Sequence, residues 1–311
     1  MAHINIKSDR IEYFDPKFQG IVSGYISGGA TPAATNVIEK FPFATDANAT
    51  DVGDLTQSRS TASGQSSSES GYTSGGNLPG LSNVVDKFPF SADSNATDVG
   101  DLTQARYGLT GQSSSVSGYS SGGDTFPGPF SNTIDKFSFS ADANATDVGN
   151  LTLSRQSASG QSSTISGYTT GGFNFTPGLN IIDKFPFSSD ANATDVGDLT
   201  QARSGPTGQS STESGYTSGG FSPAAPAGPS TTVDKFPFSS DANATDVGDL
   251  TQARSGPAGQ SSTVSGYTSG GILPSNVYVN VIDKFPFSAD ANATDVGDLT
   301  QSKSGIAGQQ I

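Results

Sequence analysis

The chain has 311 residues, with 39 Gly, 17 Pro, a single His, no Cys and no Trp, and its net charge is −14. Without cysteine there is no disulfide framework and no thiol chemistry, and the acidity argues against nucleic-acid partners and anionic membrane surfaces. The glycines and prolines carry no period of three, which excludes collagen, and a hydrophobic content of 32% suits a folded chain where repetition stacks the few apolar residues into one core.

Residues 1–19 read as an N-terminal extension without the apolar core of a signal peptide. No stretch reaches the ~20 apolar residues of a membrane span, so the expected location is the cytoplasm or a virion. From residue 20 to 311 the chain reads as one repeat domain. The first Phe of the "KFPF" word falls at Phe41, Phe88, Phe137, Phe185, Phe236 and Phe285, in steps of 47, 49, 48, 51 and 49. The segments between a double glycine and the "VID" word hold 7, 7, 9, 8, 11 and 9 residues, and subtracting them leaves 40 residues in every complete repeat. One loop per repeat therefore varies on a fixed frame.

The copy at 208–250 carries four strand candidates. Gly208 to Thr212 is small and Ser/Thr-rich, suited to a crowded innermost strand. Ser214 to Gly220 follows, ended by glycines that permit φ > 0. Val233 to Phe238 is third: Phe236 and Phe238 share a face by the period-two rule, and Pro237 denies one ladder bond, favouring an outer position. Val247 to Leu250 is a short fourth, and no stretch shows the spacing of an amphipathic helix. Four antiparallel strands repeated six times predict an all-β, six-bladed β-propeller. Its ring is closed by pairing the half-repeat at Gly20–Gly29 with the half-repeat at Ser304–Ile311, which removes exposed sheet edges.

The order Arg, small-residue strand, Tyr, Gly-Gly, then an aromatic-containing strand resembles the kelch repeat over about residues 20–311. The matching positions are Arg59, Arg106, Arg155, Arg203 and Arg254 with Gly75-Gly76, Gly122-Gly123, Gly171-Gly172, Gly219-Gly220 and Gly270-Gly271. Phe words stand where kelch repeats carry Trp. The wording also resembles repeat proteins of phages and environmental bacteria.

The motif "DANATDVGD" (Asp190 to Asp198) gathers oxygen ligands, but its glycine is eighth instead of sixth. It reads as an Asx-turn connection, with a calcium loop as the alternative; no metal and no cofactor is expected. The Asn-Ala-Thr sequons at Asn48, Asn95, Asn144, Asn192, Asn243 and Asn292 read as turn residues. Each Arg is expected to bond carbonyls and carboxylates between blades, and anion capture near the axis is the functional alternative. The lone His3 lies in the extension, so no Ser-His-Asp site is available, and six equal carboxylate sets argue for scaffold over a glycosidase pair. The expectation is a protein that is not an enzyme.

The variable loops contain a single charge, Asp124. In a four-strand meander the 2–3 loops share a face with the 4–1 segments "YGLTG", "QSASG" and "SGPTG". That face would show Leu78, Phe126, Phe130, Phe173, Phe175, Phe221, Leu273 and Tyr278, and exposed aromatics mark recognition surfaces. The sequence thus points to a monomeric binding scaffold for a protein or glycan, of the kind a phage or bacterial surface-recognition protein needs. The alternatives are a recently duplicated or engineered repeat without a ligand, and a glycan-active enzyme.

Overall fold

The computed structural model describes residues 19–311, except 176–177, 225–226 and the side chain of Leu78. The predicted extension thus lies outside the described residues but for Gln19. Among the described residues every regular element is a strand. Six four-stranded antiparallel sheets form a six-bladed β-propeller. We number the blades by their central tyrosines: Tyr25, Tyr72, Tyr119, Tyr168, Tyr216 and Tyr267.

Blade 5 illustrates the frame, with strands Thr207–Ser210, Ser214–Ser218, Thr232–Pro237 and Thr245–Asp249 from the axis outward. The second strand stops two residues before the expected end, because Gly219 and Gly220 turn away at φ +65° and +94°. The third strand is interior to its sheet, not outer. Pro237 is tolerated there because it pairs with Ser214, beyond the last pairing with the outer strand, Lys235 with Thr245. The outer strand begins earlier than expected, and a bulge leaves Val247 without an opposite residue. Val247 packs against the core cluster of Tyr216, Val233 and Phe285.

Blade 1 is composite. Its innermost strand, Ala307–Gln310, pairs antiparallel with Ser23–Ser27, matching Tyr25 to Gln309. The ring therefore closes through the joining of sequence-distant strands, as the two half-repeats predicted.

The blades pack through one repeated contact. Each tyrosine lies 5.4–5.6 Å, centroid to centroid, from the first Phe of the next blade's "FPF" word and 4.8–4.9 Å from the second Phe or its equivalent. Tyr267 of blade 6 repeats this on Phe41 and Phe43 of blade 1. The shared face expected of Phe236 and Phe238 is thus an inter-blade surface, presented to Tyr168. Such pairs contribute about 0.5–1.5 kcal/mol each beyond the area they bury.

Burial pushes the phenols of Tyr25, Tyr72, Tyr119, Tyr168, Tyr216 and Tyr267 above their ordinary range, partly opposed by the lysine beside each ring. A phenol held neutral in the folded state contributes stability that is intact below about pH 10 and is lost as pH rises beyond it. Six groups titrating together predict a steep alkaline unfolding. Phenolate absorbance should rise together with the loss of the far-UV circular dichroism; titration of the tyrosines while the sheet signal persists would contradict this packing.

At the axis, small residues let the innermost strands approach. The amide of Ser66 donates to Ser113 Oγ, and the step repeats through Ser162, Ser210 and Ser261 at 2.9–3.0 Å. The Gln310 amide returns to Ser66 Oγ at 3.0 Å. One shell further out, Nε2 of Gln65, Gln112, Gln161, Gln209, Gln260 and Gln309 donates to the tyrosine carbonyl of the next blade at 2.9–3.3 Å. The cavity enclosed by these strands is about 130 Å³, well below the roughly 300–1,000 Å³ of ligand pockets.

Candidate binding face

The charged motifs are consumed by the frame. Arg203 is buried and donates to the carbonyls of Gly219, Thr232 and Thr217, and its Nη2 lies 2.5 Å from Asp234 Oδ2. Asp234 in turn accepts from Thr200 Oγ1 at 2.6 Å and from the Thr200 amide at 3.1 Å. Arg203 and Thr200 both lie in the outer strand of blade 4, Thr194–Arg203, so the arginine and the Asp234 carboxylate together tie blade 4 to blade 5. These are the carbonyl and carboxylate bonds expected between blades, and they leave the buried guanidinium inaccessible for anion capture. Burial holds the Arg203 guanidinium below its usual value, with Asp234 opposing.

Two sequence exceptions meet at the composite joint. Glu39 replaces Asp and Lys303 replaces Arg, and Lys303 Nζ lies 3.1 Å from Glu39 Oε1 with both side chains buried. The longer acid compensates for the shorter reach of the base.

The acidic turn is a staple between blades. Asn243 Oδ1 accepts from the Asp198 amide of the preceding blade at 3.0 Å, and the Ala244 amide donates back to the Asp198 carbonyl at 2.8 Å. The same Asn bond recurs at all six interfaces at 3.0–3.1 Å. Asp195 Oδ1 accepts from Gly197, the Asx turn expected of the motif. Among the described residues, no three His, Cys, Asp or Glu side chains converge as a metal site. On the rim, Lys184 reaches Asp241 of the next blade at 2.9 Å, and its equivalents run around the ring at 3.0–3.2 Å. Each such half-exposed pair is worth about 0–1 kcal/mol.

The 2–3 loops and 4–1 connections share one face, as expected. In every blade the first loop residue bridges a 4–1 residue: Ala30 with Ser304, Asn77 with Ser60, Asp124 with Tyr107, Phe173 with Gln156, Phe221 with Ser204, and Ile272 with Ser255. The semi-variable 4–1 segments have a structural duty as well. Thr61, Gly108, Ser157, Gly205, Gly256 and Gly305 form a closed ring of six backbone hydrogen bonds, 2.6–2.8 Å each. All six adopt φ between +52° and +67°. Glycine suits this conformation, whereas L side chains cost about 1–2 kcal/mol there. Replacing Ser157 with Gly should therefore stabilise the protein by about 1 kcal/mol, and Gly205→Ala should destabilise it by a similar amount. Urea midpoints moving in the same direction for both would contradict the role of the ring.

The candidate residues separate within this face. Phe126 and Phe175 stand 71% and 79% exposed, and Phe221 is 42% exposed. Phe130, Phe173, Leu273 and Tyr278 are half-buried. Leu78 lies in the two-residue strand Asn77–Leu78, and its side chain is outside the described set. The structure brings three candidates together. Phe130 of blade 3 stacks on Phe175 of blade 4 at 4.4 Å and 21°, and meets Phe173 edge-on at 5.8 Å. Phe175 holds φ +47°, rare for a bulky residue and a feature that concentrates at functional sites. Asp124 Oδ2 accepts from the Tyr107 hydroxyl and Oδ1 from the Phe126 amide, both at 2.9 Å, so the loops' one charge is bonded locally.

Sequence reasoning missed Leu153. Five repeats carry Gln here (Gln57, Gln104, Gln201, Gln252 and Gln301), and the third alone carries Leu, which is 39% exposed. Its connection is bonded to the loops that carry the aromatic group: the Arg155 amide donates to the Ser131 carbonyl, and the Gln156 amide to the Phe173 carbonyl. The signal was a one-in-six apolar substitution in an otherwise fixed word. The opposite face also shows apolar groups, Val116, Ile165 and Val264 in the 1–2 turns and Val22 at the equivalent place in the composite blade, but these recur in four blades, whereas the aromatic cluster is confined to two. No protein-family model matches the chain, and no curated protein matches it.

Proposed function

We propose that the protein is a non-enzymatic binding scaffold that recognises a protein or glycan through its variable loop face. The supporting observation is the contrast between frame and loops. The repeated charges are bonded within and between blades, whereas the exposed aromatic rings of one loop cluster break the symmetry. The kelch-like order of Arg, Tyr and Gly-Gly fits this reading, as does a place on a phage or bacterial surface, where a rigid ring displaying variable loops serves recognition. The test replaces each 2–3 loop with the seven-residue loop of blade 1, ATPAATN, which is native to this frame. The expected result is a folded protein that no longer binds bacterial cells or immobilised glycans bound by the parent. Binding that survives the replacement overturns the reading. Turnover in a broad glycosidase and lyase assay would instead favour an enzyme.

A second reading is favoured by the near-identity of the repeats: a duplicated or engineered ring with no selected ligand. It predicts that the parent and the loop-replaced protein are equally inert in the same binding screen.

A further inference from the structure

We propose that the surface formed by Phe130, Phe173 and Phe175, with Leu153 on the connection bonded to these loops, binds an uncharged saccharide chain; this rests on the loop-face reading and names its ligand class. Phe175 is backed by the stacked ring of Phe130 and is 79% exposed, so one aromatic face is available as a rigid plate. A plate suits the flat C–H face of a pyranose, whereas a peptide anchor wants a pocket that encloses it. Charge selects further. The protein carries −14, yet the variable loops hold one carboxylate, and that group is buried and bonded to Tyr107 and Phe126. A charged ligand would find no counter-charge among these loop side chains, and a polyanion would meet the overall negative field. Exchange of the repeat's usual Gln for Leu153 adds an exposed apolar group at this one position of six.

The test titrates the full chain with cellohexaose, chitohexaose and laminarihexaose, and with hexagalacturonate as the charged counterpart, by calorimetry and saturation-transfer NMR. At least one neutral hexasaccharide should bind, and hexagalacturonate should not. Phe175→Ala should weaken binding at least about tenfold and Leu153→Gln by less, while Val264→Ala on the opposite face should leave it unchanged. All three side chains are partly or largely exposed, so unchanged melting temperatures will confirm that each variant folds. The proposal is overturned if no neutral hexasaccharide binds, if Phe175→Ala has no effect, or if hexagalacturonate binds equally well. A protein ligand lost on loop replacement, with no hexasaccharide bound, would refute the saccharide and leave the loop-face reading intact. Saccharide binding that survives loop replacement would refute both.

Discussion

Exchanging both partners of the composite joint, Glu39→Asp with Lys303→Arg, will stabilise the protein, although each change by itself will destabilise it. In blade 5 the guanidinium makes three carbonyl bonds beside its ion pair, and Asp234 takes the Thr200 amide at 3.1 Å. At the joint, Lys303 offers an ammonium 3.1 Å from Glu39, and the Thr300 amide reaches the carboxylate at 3.4 Å. Glu39→Asp draws the carboxylate back by one methylene and leaves a buried ammonium poorly paired. Breaking a buried pair costs about 3–5 kcal/mol. Lys303→Arg with Glu39 in place crowds a side chain into filled space, at a cost of about 1–3 kcal/mol. The double variant recreates the pairing of the other five blades. Its urea midpoint should exceed the parent's, with a coupling energy of at least about 2 kcal/mol between the two positions. Additive losses would show that length matching does not govern this joint. Lys303 also gives the joint a pH signature: burial lowers its folded pKa, so parental stability should gain from this group as pH rises toward about 10.5, a gain the arginine variant lacks.

Much of this architecture was legible because it repeats. Constant spacing between Phe words fixed the blade count, and the period-two relation of Phe236 and Phe238 identified a packed face. What sequence could not supply was the partner across each interface. Asn243 reads as a turn residue, yet its carbonyl oxygen serves the backbone of the preceding blade. Glu39 and Lys303 read as separate exceptions, since they sit 264 positions apart and meet only on closure. Pro237 suggested an outer strand because ladder bonds are assigned from order, whereas its exemption comes from the shorter reach of the outer strand. On the loop face the aromatic candidates were visible by composition. Their division into a stacked trio and separate residues depends on how loops of eight and nine residues fold back, and a hydrophobicity pattern does not encode that.

Adding one methyl group at the axis, Gly208→Ala, will cost far more than the same change in a loop. A Cβ at Gly208 would lie 2.2 Å from the Gly160 carbonyl oxygen, and the equivalent glycines of the other blades face the same obstacle at 2.1–2.2 Å. Neither side can yield cheaply. The obstacle is backbone, and each innermost strand is held by neighbours on both sides, so relief requires opening a closed ring of six. Overpacking of this kind costs about 1–3 kcal/mol where side chains can adjust, and here the upper end is expected. At Gly228 a Cβ would meet nothing within 4 Å among the described residues, so Ala should be neutral or stabilising by up to about 1 kcal/mol through the entropy of the unfolded chain. Thermal melts of the two variants should therefore move in opposite directions from the parent. Equal shifts would mean that the innermost strands have slack, and that the crowding read into the Gly, Ser and Thr of the "SGQS" words is not what closes this ring.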